Sequence, residues 1–248
     1  MATRSVTTAF RILESVAQLQ PAGLSDLSRA TGTPKATAQR MLITLEELGW
    51  IEKSSDSDTK WSIAIHAYAI TSKGSTGSSI RDAALGPMNA LQIDTSETVH
   101  LAVPDSTQMV VIERLDTPHI LRAFLALGSR LSMHSTSTGL AYLASTRDSF
   151  VSEYLKSPLE MSTPYTLSDA GAVRREIAEI RHRGYSINQE GLSVGITSLG
   201  AAIVTRESVP VGSVSVSGPS SRITEEKFAQ YGEAVMSAAR SISAGMPR

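Results

Sequence analysis

Residues 32–51 read GTPKATAQRMLITLEELGWI. Thr33 is placed to cap the first free amides, and Pro34 to take the first helical position, where a missing N–H costs nothing. Gly49 supplies a residue that can turn left-handed past the end. Between these marks Ala38, Met41, Leu42, Leu45 and Leu48 recur at helical spacing as one apolar stripe. At about 100° per residue, Ala36, Arg40, Ile43 and Glu47 fall opposite the stripe, with Gln39 and Thr44 on its flanks. Lys35, Gln39 and Arg40 crowd the N-terminal half, while Glu46 and Glu47 lie at the C-terminal end. A helix that enters the major groove N-terminus first needs this polarity. Taken alone, the same pattern fits any amphipathic helix with a solvated face.

The flanks decide between these readings. Upstream, Val6, Ala9, Ile12, Leu13, Val16 and Leu19 make a first amphipathic helix, ended by Gln20-Pro21-Ala22-Gly23. Leu24 to Ala30 forms a short second helix, capped by Ser25 and stopped by Thr31-Gly32. Two helices joined by a short Gly-containing turn are a helix-turn-helix. Downstream, Trp50 to Lys53 and Lys60 to Ile63 read as two short strands around the polar loop Ser54 to Thr59. The order is that of a winged helix-turn-helix. Its candidate contacts to double-stranded DNA are Lys35, Ala36, Thr37, Gln39, Arg40 and Thr44, with Lys60 on the hairpin. Arg40 and Gln39 are assigned to base edges, and Lys35 and Thr37 to phosphate.

Here the chain resembles the IclR-type bacterial transcriptional regulators. The segments SVTTAFRILESVAQ and LSDLSRATGTPKATAQRMLITLEELGWIEK are similar to that family's DNA-binding domain. LSMHSTSTGLAYLAS, RGYSINQEGLSVGITSLGAAIV and VGSVSVSGPSSRIT are similar to three signature regions of its C-terminal effector-binding domain. The resemblance runs in order along nearly the whole chain. It departs at Leu140 (usually Lys), Ser198 (commonly Cys), Asn188 (frequently acidic) and Ala202 (Pro). The first two are expected in or near the ligand pocket, where they bear on which ligand binds.

Composition sets bounds. At 248 residues the chain can bury a sizeable core and exceeds the commonest single-domain size, so two domains are expected. Formal net charge is −1, and the first 60 residues balance seven Lys or Arg against seven Asp or Glu. Attraction to phosphate must therefore come from the local placement of Arg4, Arg11, Arg29, Lys35, Arg40, Lys53 and Lys60, and affinity should fall steeply with salt. With no cysteine, disulfides, thiolate catalysis and Cys-ligated zinc are excluded. No apolar run approaches the roughly 18 residues of a membrane span. No signal-peptide core follows Arg4 and Ser5, so a cytoplasmic protein is expected.

The expected division is 1–73 for the winged helix, 74–94 for a linker with a linker helix, and 95–248 for the effector-binding domain. The boundary lies in TSKGSTG, and the linker helix is expected to be disturbed at Gly86-Pro87. Beyond it, strands are expected at Thr98 to Val103, Gln108 to Leu115, Ile120 to Leu125, Ser198 to Thr205 and Val209 to Ser217. Helices are expected at Thr138 to Thr146, at Ala170 to Arg183 and from Thr224 onward. Consecutive strands with short turns imply an antiparallel sheet with helices packed on it, an α+β domain; the resemblance implies that it is GAF-like.

Enzyme-like signals fail on order and spacing. Gly191-Leu192-Ser193-Val194-Gly195 matches GxSxG, but a strand follows it and all five histidines (His66, His100, His119, His134, His182) precede Ser193. His134-Ser135 lacks a third member. The histidines show no metal-ligand spacing, and no P-loop occurs. Neither catalysis nor a cofactor is expected. What remains is a pocket. The hydroxyl-rich run Met133 to Gly139 leads into a helix capped near Ser137, whose free amides face an anion. Ser213, Ser215 and Ser217 alternate on one strand face, which is either solvent-facing or a buried face that needs partners. In the family, the positions matching Ser137, Thr138, Asn188, Ser198, Ser215 and Ser217 line the effector site. A small organic acid follows, its carbon skeleton against Leu125, Leu127, Leu131 or Met133. The resulting reading is a regulator that binds a palindromic operator as a dimer or tetramer and senses such an acid. The alternative is an enzyme or metabolite-binding protein whose helix-turn-helix serves only for interactions.

Overall fold

The computed structural model describes residues 3–54, 59–71 and 76–246, with only the backbone of 76–79. The chain divides into two compact units, Met1–Ser75 and Thr76–Arg248.

The first unit packs three helices, α1 (Arg4–Leu19), α2 (Leu24–Thr31) and α3 (Lys35–Glu47), around Ile12, Val16, Leu27, Ala38, Leu42 and Leu45. Strands β1 (Ala22–Gly23), β2 (Ile51–Lys53) and β3 (Lys60–Ile63) form a small antiparallel sheet in the order β1-β3-β2. It adds Ala22, Ile51 and Trp61 to the same core. Helix α4 (Ile65–Thr71), not expected from periodicity, follows, and its His66 ring stands edge-on to Trp50. The turn between α2 and α3 is made by local bonds. Gly32 is left-handed (φ 63°), and the Thr33 amide donates to the Ser28 carbonyl at 3.1 Å. The Ser28 hydroxyl in turn donates to the Thr33 carbonyl at 2.7 Å.

The helix ends differ from the expected ones in three places. Pro34 is the N-cap of α3 rather than its first residue, and no side chain caps the helix. The extended conformation at Pro34 (ψ 138°) moves the start one residue on, so Thr33 belongs to the turn. Ser25 lies inside α2, whose N-cap is Gly23. Leu48 is 60% exposed, because the chain leaves the helix there for the left-handed Gly49 (φ 75°). Of the wing loop, Ser55 to Asp58 lie outside the described residues, as do Ser72 to Ser75 of the expected boundary.

The second unit is α+β. Strands β4 (Thr98–Asp105), β5 (Gln108–Leu115), β6 (Arg130–Ser132), β7 (Ser186–Gln189), β8 (Ile196–Val204) and β9 (Pro210–Pro219) form one antiparallel sheet, ordered β6-β5-β4-β9-β8-β7. One face carries Val99, Leu101, Leu199, Ala201, Ile203, Val214 and Val216, which pack against α5 (Thr76–Thr95) and α9 (Glu225–Gly245). The helix expected as a linker is therefore part of this core: Ile80, Ala84, Met88 and Leu91 of α5 are buried in it. The helix also runs on through Pro87 without a break. Against the other face lie α6 (Ser137–Ser145), α7 (Asp148–Tyr154) and α8 (Ala170–Arg183). The α6 cap is Thr136, whose hydroxyl accepts from the Gly139 amide at 3.0 Å; Ser137 is already helical.

No strand forms at 120–125. That segment crosses the sheet as a strap held by side chains instead of a ladder. Thr98 Oγ1 donates to the Ala123 carbonyl at 3.2 Å, and Arg114 Nη1 donates to the Leu125 carbonyl at 2.8 Å. The apolar residues that mimicked a strand point partly outward, Ile120 being 97% exposed.

Candidate functional site

The outer face of α3 carries the expected set. Lys35, Ala36, Gln39, Arg40 and Thr44 are exposed, and Thr37 is half-buried beside the buried Ala38. The 3.6-residue period explains this, since burying Ala38, Leu42 and Leu45 turns the residues between them to solvent. The Thr44 hydroxyl donates back to the Arg40 carbonyl at 3.0 Å. Lys60 opens β3 and is exposed, its backbone paired with Gly23. Among the described residues no ion pair engages Lys35, Arg40 or Lys60. Lys53 and Arg29, by contrast, lie 2.7 Å from Glu46 and 3.7 Å from Asp26. Two of these unpaired cations, Lys35 and Arg40, thus sit in the N-terminal half of α3, which is also the positive end of the helix dipole.

The second unit contains a cavity of about 50 Å³ between the sheet and the N-terminus of α6. It gathers Ser137, Thr138, Asn188, Ser198, Ser215, Ser217 and Leu125 from five separate segments of the chain. Met133 is excluded: it is fully buried in the core between the sheet, α6 and α8. Leu127 is exposed, and Leu131 lines the cavity. Leu140 also belongs to the buried core rather than the cavity wall, whereas Ser198 is on the wall.

The serine face of β9 is buried, with Ser213, Ser215 and Ser217 at 0, 2 and 6% exposure, so the solvent-facing alternative does not hold. No hydrogen bond engages the hydroxyls of Ser198, Ser215 or Ser217 among the described residues. At the start of α6, Thr136 satisfies the Gly139 amide, which leaves those of Ser137 and Thr138 as open donors of the first turn. Asn188 has a second task. Its Nδ2 donates to the Ser135 carbonyl at 3.1 Å and its Oδ1 accepts from the Gly191 amide at 3.0 Å, tying the β7–β8 loop to the turn before α6. A carboxylate at this position could not donate the first of these bonds.

The other walls come from Ala102, Val111, Ala123, Phe124, Leu131 and Ile196, with His100, Leu192 and Ser193. Sequence reasoning missed His100 because it was weighed only as a triad partner and as a metal ligand. The signal that could have found it is the alternation Thr98, His100, Ala102 on β4. His134, by contrast, is occupied: Nδ1 lies 2.6 Å from the Tyr154 hydroxyl and Nε2 lies 3.0 Å from the Glu160 carbonyl. Burial pushes the Tyr154 phenol upward, while bonds from the 133–134 backbone oppose this. Its neighbour Ser135 donates to the Ser132 carbonyl, so no Ser–His pair forms.

Comparison with known proteins agrees with this architecture. The model described as "Bacterial transcriptional regulator IclR C-terminal" matches residues 75–244, and that described as "IclR helix-turn-helix domain" matches 5–55. The chain is 28% identical to the transcriptional repressor IclR of Escherichia coli K12, over 97% of this chain and 89% of that one. It is 29% identical to the repressor AllR of the same strain, over 90% and 82%. The crystal structure of the Thermotoga maritima IclR superposes with a TM-score of 0.80 at 27% identity, covering 97% of both chains. An IclR homolog from Microbacterium hydrocarbonoxydans, crystallised with 4-hydroxybenzoate, has the same fold (TM-score 0.85, 24% identity, 97% of this chain and 98% of that one).

Proposed function

We propose, because the chain belongs to the IclR family of bacterial transcriptional regulators, that its second unit senses a small organic acid and that its first reads a palindromic operator. The regulator role comes from the family; it is a family of DNA-binding proteins and not of enzymes. One observation supports acid sensing. Two open helix amides and three unbonded serine hydroxyls converge on a cavity whose remaining walls are mostly apolar. Such a lining suits a carboxylate at one end and a carbon skeleton at the other. No group of metal-ligating residues occurs among the described residues, and the reading needs no cofactor.

On the DNA side, Arg40 and Gln39 reach base edges while Lys35, Thr37 and Lys60 sit at phosphates, with Ala36 and Thr44 flanking the contact. A single winged helix covers too little DNA for tight operator binding, so two copies act on an inverted repeat, as a dimer or within a tetramer. Val6 and Phe10, 53 and 57% exposed on α1, form an apolar patch fitted to the contact between DNA-binding units. A cytoplasmic location belongs to the same reading. Among the described residues no helix is long and apolar enough to cross a membrane.

The test is a fluorescence anisotropy titration of DNA from upstream of the gene and its neighbours, with and without small organic acids. Binding in the nanomolar range that an acid shifts supports the proposal. Binding indifferent to every acid, together with flat calorimetric titrations, removes the sensing half.

A further inference from the structure

The sheet register lines up one row of residues, Ser186, Gly200, Ser215, His100 and Arg114, on β7, β8, β9, β4 and β5, of which Ser215 and His100 line the cavity. The start of α6 stands over Gly200. The Ser186 hydroxyl donates to the Ser137 carbonyl at 2.7 Å, and a Cβ built on Gly200 would lie 3.0 Å from that same carbonyl group. His100 is two strands further along the row, or about 10 Å away. The open amides and His100 therefore face one cavity from places two strands apart, with Ser215 between them.

His100 is 1% exposed, lines the cavity, and has neither ring nitrogen hydrogen-bonded. Buried polar atoms without partners are rare and costly, because each has given up water for nothing. A ligand group that fills the cavity supplies the missing partner. The surroundings decide its charge. Opposite His100 on β5 is Arg114, whose Nε lies 2.9 Å from Asp116, with Arg122 3.9 Å from the same Asp116 oxygen. Opposite it on β9 is Ser215, and α6 brings amides and hydroxyls. Burial first, then the Arg114 charge, lower the His100 pKa to about 4 against the opposing pull of Asp116, so the ring is neutral near pH 7. A neutral imidazole offers one N–H donor and one acceptor nitrogen. That pair suits a hydroxyl, which both donates and accepts, and it lacks the charge that would hold a second carboxylate.

We propose that His100 is the specificity-determining residue of the cavity, hydrogen-bonding a hydroxyl that the effector carries at the end remote from its carboxylate. The effector is then a hydroxy acid rather than a plain monoacid or a diacid. This rests on the acid-sensing reading above, and the experiment separates the two.

Full-length protein is titrated calorimetrically at pH 7.5 with two matched pairs, hexanoate against 6-hydroxyhexanoate and cyclohexanecarboxylate against trans-4-hydroxycyclohexanecarboxylate. In wild type the hydroxylated member of at least one pair binds at least tenfold tighter, with an enthalpy that does not depend on the buffer's ionisation enthalpy. In His100→Phe that preference falls below threefold. In His100→Gln, which keeps a donor and an acceptor, part of it returns. Acids that bind wild type with no hydroxyl preference, or a preference that survives His100→Phe, overturn the His100 assignment and leave acid sensing standing. Uptake of a proton on binding also overturns it, because the ring would then pair with an anion. Failure of all four compounds to bind wild type sinks the acid reading and this proposal together. Should His100→Phe not fold, because the larger ring overpacks a buried site, the same pairs are titrated into His100→Leu, where a surviving hydroxyl preference likewise overturns the assignment.

Discussion

Replacing His100 with Phe should flatten the acid limb of stability. The ring is fully buried, and its pKa is lowered from 6.5 to about 4, by burial first and then by Arg114. In the unfolded chain it takes up a proton below about 6.5; in the folded chain it resists until about 4. Above pH 6.5 both states hold it neutral and it adds nothing to the pH dependence. As pH falls through that value the unfolded state binds the extra proton, so stability is lost down to the folded pKa. From these two values the loss is about 2 kcal/mol at pH 5 and about 3 kcal/mol at pH 4. Both tryptophans, Trp50 and Trp61, lie in the first unit, so their fluorescence reports that unit. Urea unfolding should therefore be followed by circular dichroism as well, to isolate the transition of the second unit. Between pH 7.5 and 5 wild type should lose about 2 kcal/mol more than His100→Phe in that transition. Equal losses in the two proteins would mean that His100 is charged or solvated in the folded state, and the electrostatic reasoning would fail.

Three further outcomes are expected. Arg40→Ala should weaken operator binding by about 1–3 kcal/mol and relax selectivity at one position per half-site, whereas Lys35→Ala should weaken all sequences alike and flatten the salt dependence; wild-type selectivity in Arg40→Ala, by anisotropy, would refute the groove assignment. Ser215→Ala and Ser217→Ala should each remove a charge-assisted bond worth about 1.5–3 kcal/mol, a ten- to hundredfold loss of acid affinity by calorimetry, with ligand-free operator binding unchanged. Phe10→Glu should abolish cooperative binding to paired half-sites while leaving the acid affinity intact, and undiminished cooperativity would remove Phe10 from the contact.

How much of this was legible in the sequence follows from the range of the forces involved. In the first unit the determinants are local. The period that buries Ala38, Leu42 and Leu45 turns Arg40 and Gln39 outward, and Gly32 must be left-handed for α3 to follow α2. A helical stripe and a turn residue are written within a few positions of one another, so helix, turn and exposed face could all be read in advance. Even there, the helix start moved by one residue and Leu48 came to the surface, because ends depend on where the chain goes next.

The cavity is a different kind of object. Nothing in the run Met133 to Gly139 separates Met133, sealed in the core, from Ser137, open to the cavity; packing against α8 and the sheet decides that. The apolar run at 120–125 could not reveal that its backbone partners are the side chains of Thr98 and Arg114 rather than another strand. Nor could any local pattern set His100 beside Ser215 and across from the start of α6, since that row joins five strands through antiparallel register. By itself the sequence determined the winged helix, the antiparallel character of the second unit and, through resemblance, most of the cavity's hydroxyls. Only the tertiary structure decided which polar atoms are left without partners. Hydrogen-bond satisfaction is a property of what surrounds a group in space, and for His100 those surroundings come from residues up to 115 positions away in the chain.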